Sequence, residues 1–117
     1  NHSWVENEYL PRIQQRGAEI IKARGASSAS SAARAACDTV KAVEHPTRSG
    51  DVFNAAILSD GAYGMPEGIF SGFPLISDGN GSVEIVRDFN LSEFAKSKLK
   101  ITANELLEEK NFVKDLI

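Results

Sequence analysis

The chain has 117 residues, of which 42% are hydrophobic and 25% charged, which is the composition of a globular protein and excludes a disordered or fibrous one. This length supports one domain around a single hydrophobic core and is too short for two independent cores. With 13 basic and 16 acidic residues the net charge is -3, so charge gives no reason to expect nucleic acid or a membrane surface as the partner.

The cysteine and histidine residues argue against a disulfide and against a zinc site. Cys37 has no partner within the chain and lies in a helical pattern, which favours a reducing, cytoplasmic setting. His2 and His45 are isolated in sequence, so no metal is expected. No apolar run reaches the roughly 18 residues needed to span a bilayer, and no signal peptide is recognisable. A start at Asn1, without methionine, indicates that the chain begins inside a longer protein.

The first predicted helix is under way by Pro11 and ends near Gly25. Proline is tolerated in the first turn of a helix, where its missing N–H costs nothing, and glycine suits the C-terminal end. Apolar positions recur between them at helical spacing: Ile13, Gly17, Ile20 and Ile21. Because a glycine inside a helix costs about 1 kcal/mol relative to alanine, Gly17 indicates either a close approach by a neighbouring backbone or a position that tolerates change.

A second helix is predicted from Ser27 to Glu44, although the Ser/Ala composition of its start resembles a flexible linker. Ser27 or Ser28 is a favoured N-cap. One arc of this helix is almost entirely alanine: Ala29, Ala32, Ala33, Ala36, Val40 and Val43. Alanine cannot fill space, so this arc is expected to lie buried against an element that approaches closely, within the domain or across a dimer.

The second half of the chain is predicted to form an antiparallel sheet. Extended runs are expected at 52–58, 69–76 and 83–87, and Asp78-Gly79-Asn80-Gly81 is a strong hairpin signal between the last two. Pro74 lacks the N–H that a sheet ladder needs, which predicts an edge strand or a bulge at that position.

A long C-terminal helix follows. Asn90-Leu91-Ser92-Glu93 resembles a capping box. The apolar residues beyond it are expected on a single arc: Leu91, Phe94, Ala95, Leu99, Ile101, Leu106, Phe112, Val113 and Leu116. The fold class is therefore α+β, with two N-terminal helices, antiparallel strands and a long C-terminal helix. No glycine-rich phosphate loop occurs, and the strand and helix alternation of a parallel nucleotide-binding sheet is absent.

Seven short segments, in this order, carry a resemblance to a known family. They are Gln14-Gln15-Arg16-Gly17-Ala18, Lys22-Ala23-Arg24, Ser27-Ser28-Ala29, Ile57-Leu58-Ser59-Asp60-Gly61, Tyr63-Gly64-Met65-Pro66, Phe73-Pro74 and Thr102-Ala103-Asn104-Glu105-Leu106. Together they resemble the carboxy-terminal catalytic domain of cytosolic-type malate dehydrogenases, in the lactate/malate dehydrogenase superfamily. The resemblance covers residues 1–117 and implies an N-terminal Rossmann domain, absent from this chain, that binds NAD.

The resemblance also implies an activity: interconversion of malate and oxaloacetate by hydride transfer, in a cytoplasmic homodimer. The family's catalytic His and Asp and its substrate-clamping arginines lie upstream of the matched part, so no catalytic residue is assigned here and the isolated chain is expected to be inactive. Asn1-His2-Ser3 mimics the family's Asn-His-Ser. His2 is nevertheless not assigned, because Glu8-Tyr9-Leu10-Pro11 matches a segment that lies well after the catalytic His.

The first turn of the second helix is the part of the active site that the resemblance places in this chain. It implies that Ser27 binds the substrate, a small 2-hydroxy or 2-oxo acid, and that Ser31 binds the NAD cofactor. The two serines are four residues apart and are expected on one helix face. In the alternative, Ser27 only caps the helix and Ser31 only allows close packing. Ala26 and Ser30 stand where many family members carry Leu or Met, which leaves the shape of the pocket open.

Two other functions stay open at this point. One is a lactate dehydrogenase of malate-dehydrogenase descent, because the loop that selects the substrate belongs to the missing half. The other is a non-enzymatic dimerisation module, in which the Ala/Ser helix packs against its twin.

Overall fold

The computed structural model describes residues 2–116, which fall into two compact units that meet in sequence at Asp38 and Thr39. The first unit contains α1 (His2–Trp4), a π-helical turn (Val5–Tyr9), α2 (Leu10–Arg24) and the start of α3 (Ser30–Glu44). The second contains the end of α3, then β1 (Phe53–Leu58), β2 (Phe70–Ser77), β3 (Val83–Ile85) and α4 (Glu93–Phe112). The predicted α+β class is confirmed.

Pro11 explains the π-helical turn that precedes α2. A proline inside a helix removes one backbone hydrogen bond, and its ring crowds the carbonyl four residues before it. Here the turn widens just ahead of the proline, and the N–H of Leu10 bonds the carbonyl of Val5, five residues back. Helical structure is thus under way by Pro11, as predicted, and begins as early as His2.

Gly25 ends α2 as predicted, and the reason is its backbone conformation. Its φ of 70° lies in the left-handed region that side-chain-bearing residues avoid, and its N–H bonds the carbonyl of Ile21 at 2.8 Å. The close approach expected at Gly17 is not found among the described residues, since a Cβ built there meets no atom within 4 Å.

Helix α3 differs from its prediction in two respects. It begins at Ser30, and the N–H of Ala33 bonds the carbonyl of Ala29, so Ala29 occupies the position just before the helix and neither predicted serine cap is used. The expected burial of the alanine arc is also wrong within this chain, because no residue of α3 is buried and Val40 is 61% exposed. Periodicity in the sequence identifies an apolar helix face, but it does not show whether that face is buried by residues of the same chain.

The three strands form one antiparallel sheet in the order β1-β2-β3, as the sequence predicts. The hairpin between β2 and β3 is confirmed, with Oδ1 of Asp78 accepting the N–H groups of Asn80 at 2.7 Å and Ser82 at 3.2 Å. Glycine is required at Gly79, since its φ is 79° and a Cβ there would lie 2.5 Å from the Pro46 ring.

Pro74 lies in the central strand, so the predicted edge strand is wrong. Its carbonyl accepts the N–H of Val86 at 2.9 Å, but proline has no N–H to return to the carbonyl of Val86. That carbonyl instead accepts a hydrogen bond from the hydroxyl of Tyr63. Regular pairing of β3 stops at Ile85, one residue before this point. A proline is tolerated in a central strand here because a side chain replaces the missing donor.

Tyr63→Phe is therefore expected to lower the free energy of unfolding by about 1 kcal/mol, because it leaves the part-buried carbonyl of Val86 without its donor. Urea unfolding followed by circular dichroism measures the difference. Tyr9→Phe, at an exposed tyrosine, is the matched control and is expected to change nothing measurable. Equal stability of the two variants would contradict the role given to the Tyr63 hydroxyl.

The hydrophobic core lies in the second unit, where one sheet face meets α4. Phe73 and Leu75 alternate along β2 and are each 1% exposed. Helix α4 supplies buried Ala103 together with three partly buried leucines: Leu99, Leu106 and Leu107. These four lie at spacings of four, seven and eight residues, which is one helix face. The broader predicted arc is wrong at Ile101 and Phe112, which are 53% and 92% exposed.

Side-chain hydrogen bonds define the ends of two helices in this unit. Helix α4 is capped by Ser92, whose Oγ accepts the N–H of Ala95 at 3.2 Å, so the cap lies two residues after the Asn90 that opens the predicted box. At the end of α3, the carbonyl of Val43 accepts a hydrogen bond from Oγ of buried Ser77 at 2.5 Å. Oγ1 of Thr47 accepts the N–H of Ser77 at 2.8 Å. The C-terminal end of α3 is thereby attached to β2.

Across residues 2–116, none of the helices is both long enough and apolar enough to cross a membrane.

Candidate functional site

A cleft of about 330 Å³ lies between the second half of α2 and the start of α3, within the first unit. Its lining combines two arginines, three serines and three apolar residues: Arg16, Ile20, Ala23, Arg24, Ser28, Ala29, Ser30 and Ser31. Small polar and cationic groups around an open cleft are suited to a small anionic ligand.

The α2 side of the cleft is a single helix face. Arg16, Ile20, Ala23 and Arg24 follow one another at spacings of four, seven and eight residues from the first. Ile20 is partly buried and the two arginines are exposed. Sequence reasoning gave neither Arg16 nor Arg24 a role in the site. The signal that could have found them is their shared spacing with Ile20.

The α3 side consists of a helix start that lacks a side-chain cap. The first N–H groups of an α-helix have no partner within the helix, and they carry the positive end of the helix dipole. Ala29 occupies the capping position and has no side-chain oxygen to accept from them. Ser28, Ser30 and Ser31 bring hydroxyl groups to the same place. This end of the cleft therefore favours negative charge.

The two predicted site residues, Ser27 and Ser31, lie in different parts of the structure. Ser31 lines the cleft. Ser27 lies outside α3, in the segment that joins it to α2, and its carbonyl accepts a hydrogen bond from Nη1 of Arg24. Because α3 begins only at Ser30, the expectation that the two serines share one helix face is wrong. Their roles in binding substrate and cofactor stay predictions.

One of the two lining arginines, Arg16, is engaged in a local ion pair on the surface, and Arg34 of α3 is engaged in another. Nη1 of Arg16 lies 3.5 Å from Oε2 of Glu19, and Nε of Arg34 lies 2.7 Å from Oδ2 of Asp38 one turn along α3. The lining itself contains no His, Asp, Glu, Cys, Lys or Tyr. Such a lining can bind and orient a ligand, but it offers no general acid or base, so proton transfer requires residues from elsewhere.

Neither Cys37 nor His45 is among the residues that line the cleft. Nδ1 of His45 lies 2.9 Å from the carbonyl of Lys41, and Cys37 is exposed. The side chain of His2 lies outside the described residues. In the described part of the chain, no three or more His, Cys, Asp or Glu side chains are grouped in a way that could hold a metal ion.

Two features of the second unit offer weaker sites. A cleft of about 340 Å³ between β2 and the segment before α4 is lined by aromatic and aliphatic residues with one amide, that of Asn90, and has no cation to hold a carboxylate. Asp60 and Arg87 form an exposed ion pair, and the hydrogen bond from Arg87 holds the pKa of the Asp60 carboxyl below its usual value. That pair connects a turn to the end of the sheet. The serine-lined cleft is therefore the candidate site.

The described residues thus form an α+β domain whose serine-lined cleft contains cations and hydroxyl groups but no acid–base pair. The model of the lactate/malate dehydrogenase alpha/beta C-terminal domain matches residues 1–117, and the chain belongs to that family. The resemblance found in the sequence segments is thus confirmed.

Curated relatives and solved structures agree with this assignment. The chain is 48% identical over 115 residues to a malate dehydrogenase of Magnetococcus marinus, and 46% identical over 116 residues to one of Cutibacterium acnes. These matches cover 98% and 99% of the chain but 35% of each relative. The chain thus spans about a third of the length of the relatives it matches.

Among solved structures, malate dehydrogenase from Naegleria fowleri superposes with a TM-score of 0.92 at 37% identity, over 99% of this chain and 35% of that one. Lactate dehydrogenase from Trichomonas vaginalis, in complex with NADH and oxamate, superposes with a TM-score of 0.90 at 29% identity, over 98% of this chain and 35% of that one.

Proposed function

We propose that this chain is the carboxy-terminal part of an NAD-dependent malate dehydrogenase, which interconverts malate and oxaloacetate by hydride transfer. The observation that carries the proposal is the 48% identity to the malate dehydrogenase of Magnetococcus marinus across 98% of the chain. Since the chain spans 35% of that relative, the activity belongs to the longer protein. The 117-residue chain alone is expected to be inactive.

Only the nicotinamide end of the cofactor would contact this chain. The strands are antiparallel and no glycine-rich phosphate loop is present, so the described residues do not form a dinucleotide-binding sheet. An N-terminal Rossmann domain is expected to hold the rest of the cofactor. When bound, NAD supplies the hydride chemistry, and the protein supplies orientation and charge. Ser31, small and polar at the start of α3, would lie against the nicotinamide end.

The substrate, a short dicarboxylate, would bind beside the cofactor at the same helix start. The uncapped N-terminus of α3 and the guanidinium of Arg16, which lines the cleft, favour an anion there. Ser27 is proposed to contact the substrate from the segment before α3. The acid–base pair and the arginine clamps are expected from the other part of the protein, in agreement with a cleft that contains no titratable acid or base.

We further propose that the protein acts as a homodimer in the cytoplasm, within the tricarboxylic acid cycle. The exposed alanine arc of α3 supports association with another surface, because small side chains let a partner approach closely. The net charge of -3 gives no support for nucleic acid as a partner. No helix among the described residues could span a bilayer.

A lactate dehydrogenase of malate-dehydrogenase descent is the second candidate function. The TM-score of 0.90 to the Trichomonas vaginalis lactate dehydrogenase favours it, since the two folds are nearly the same over this domain. The lower identity of 29%, against 37% for the Naegleria fowleri enzyme and 48% for a bacterial relative, favours malate dehydrogenase. A non-enzymatic dimerisation module is the third candidate.

The deciding measurement is NADH oxidation by the full-length protein, with oxaloacetate and with pyruvate as separate substrates. Turnover is expected with oxaloacetate in clear preference to pyruvate. The 117-residue chain, assayed in parallel, is expected to show neither turnover nor enhancement of NADH fluorescence. The reverse substrate preference would favour the lactate dehydrogenase, turnover of neither would favour the dimerisation module, and NADH binding by the 117-residue chain at millimolar affinity or better would contradict the proposed division of the site.

A further inference from the structure

We propose that Arg24 is a positioning residue that holds the substrate-binding serine, Ser27, in place; this inference rests on the proposed function. Nη1 of Arg24 donates a hydrogen bond to the main-chain carbonyl of Ser27. The bond crosses the turn at Gly25, whose left-handed φ of 70° directs the chain out of α2. It therefore connects the last residue of α2 to the segment that leads into α3.

The segment needs such a contact because no regular structure holds it. Residues 26–29 lie between the two helices, and the residues of this segment are exposed. Only the carbonyl of Ala29 accepts a helical hydrogen bond, from the N–H of Ala33, so the rest of this exposed segment loses conformational freedom only where a specific contact restrains it. A guanidinium donor makes a strong, charge-assisted hydrogen bond with directional geometry. Arg24 thus restrains the backbone of the residue that is proposed to touch the substrate.

Arg24 acts on the main chain of Ser27 and not on its hydroxyl. The restraint therefore remains when Ser27 is replaced by alanine, and it no longer matters for substrate once that hydroxyl is gone. When one residue acts only through another in this way, the effects of the two substitutions on KM are non-additive in a double-mutant cycle. A residue that simply attracts an anionic substrate by its charge would instead give independent effects.

The test uses the full-length enzyme with four variants: Ser27→Ala, Arg24→Met, Arg24→Lys and the double variant Ser27→Ala/Arg24→Met. Ser27→Ala is expected to raise KM for oxaloacetate about tenfold, and Arg24→Met about fivefold, with kcat changed less than about twofold. The double variant is expected to match Ser27→Ala alone. Arg24→Lys keeps the charge but not the planar fork of donors, so it is expected to restore only part of the loss.

Two further measurements separate positioning from general damage. Arg12→Met makes the same chemical change at an exposed arginine of α2 that does not line the cleft, and it is expected to leave KM and the melting temperature unchanged. Backbone ¹⁵N relaxation measured by NMR reports the mobility of the segment directly and does not depend on activity. Arg24→Met is expected to lower the ¹⁵N order parameters of residues 26–29 from about 0.8 to below about 0.6, while those of α2 stay the same.

Each contrary outcome has a distinct meaning. Unchanged order parameters at 26–29 in Arg24→Met overturn the positioning role whatever the kinetics show. If Ser27→Ala raises KM while Arg24→Met does not, or if their effects multiply, the positioning role is wrong and the proposed function stands. If oxaloacetate is turned over but Ser27→Ala leaves KM unchanged, the substrate role of Ser27 is wrong and the inference falls with it. Absence of turnover in the unmodified enzyme overturns the proposed function as well.

Discussion

Replacing Phe73 by alanine is expected to lower the free energy of unfolding of the second unit by about 3 to 5 kcal/mol. Phe73 is 1% exposed, at the centre of the sheet face that packs on α4. Alanine would remove most of that buried surface and leave a cavity that the sheet cannot close. Since small domains have only about 5 to 15 kcal/mol of stability, urea unfolding followed by circular dichroism should show a large fall in midpoint.

A matched control for Phe73→Ala lies in the same unit. Phe112 ends α4 and is 92% exposed, so Phe112→Ala is expected to change stability by less than about 0.5 kcal/mol. If Phe73→Ala unfolds the unit completely, the smaller change Phe73→Leu still measures the site, with an expected loss of about 1 kcal/mol. Similar stability of the Phe73→Ala and Phe112→Ala variants would show that the core has been placed wrongly.

Ser31→Trp in the full-length enzyme is expected to raise KM for NADH or for oxaloacetate at least about tenfold, without unfolding the protein. Ser31 lines the cleft at the start of α3, where an indole would occupy much of the 330 Å³ proposed for ligand. The residue is exposed in this chain, so the larger side chain displaces no core residue. Steady-state kinetics with each substrate varied in turn would show which ligand is excluded.

The control for Ser31→Trp is the same substitution at a serine that does not line the cleft. Ser49 lies in an exposed turn of the second unit, and Ser49→Trp is expected to leave both KM values unchanged. Unchanged kinetics in Ser31→Trp, with its melting temperature also unchanged, would contradict the placement of ligand at this cleft. It would favour the alternative in which Ser31 only permits close packing.

Several predictions from sequence were accurate because their causes are local. Gly25 ends α2 since only glycine adopts its φ of 70° at little cost, and Asp78 with Gly79 forms the hairpin through bonds to residues two and four positions away. The three strands were found to within one or two residues, because alternation and turn signals bound them. The long C-terminal helix was also predicted correctly, because its capping signal and the helical spacing of its apolar residues are local features of the sequence.

Other predictions failed where a distant residue decides the outcome. Pro74 was expected at an edge, yet it sits in the central strand because the hydroxyl of Tyr63, eleven positions earlier, satisfies the carbonyl that the proline leaves unpaired. The buried face of α4 is narrower than its apolar arc, because the core contacts only the face that carries Leu99, Ala103, Leu106 and Leu107. Neither cause is visible in a window of neighbouring residues.

The amino-acid sequence by itself determined the family, the α+β order of elements and the cluster of serines near the candidate site. All three can be identified from the order and spacing of short segments. Only the tertiary structure decided that α3 begins at Ser30, that Ser31 lines the cleft while Ser27 precedes the helix, and that Arg16 and Arg24 share the site. Those facts depend on how α2 and α3 meet across Gly25. The angle between the two helices depends on the backbone conformation at Gly25 and on where the long arginine side chains reach. Helical periodicity in the sequence reports neither.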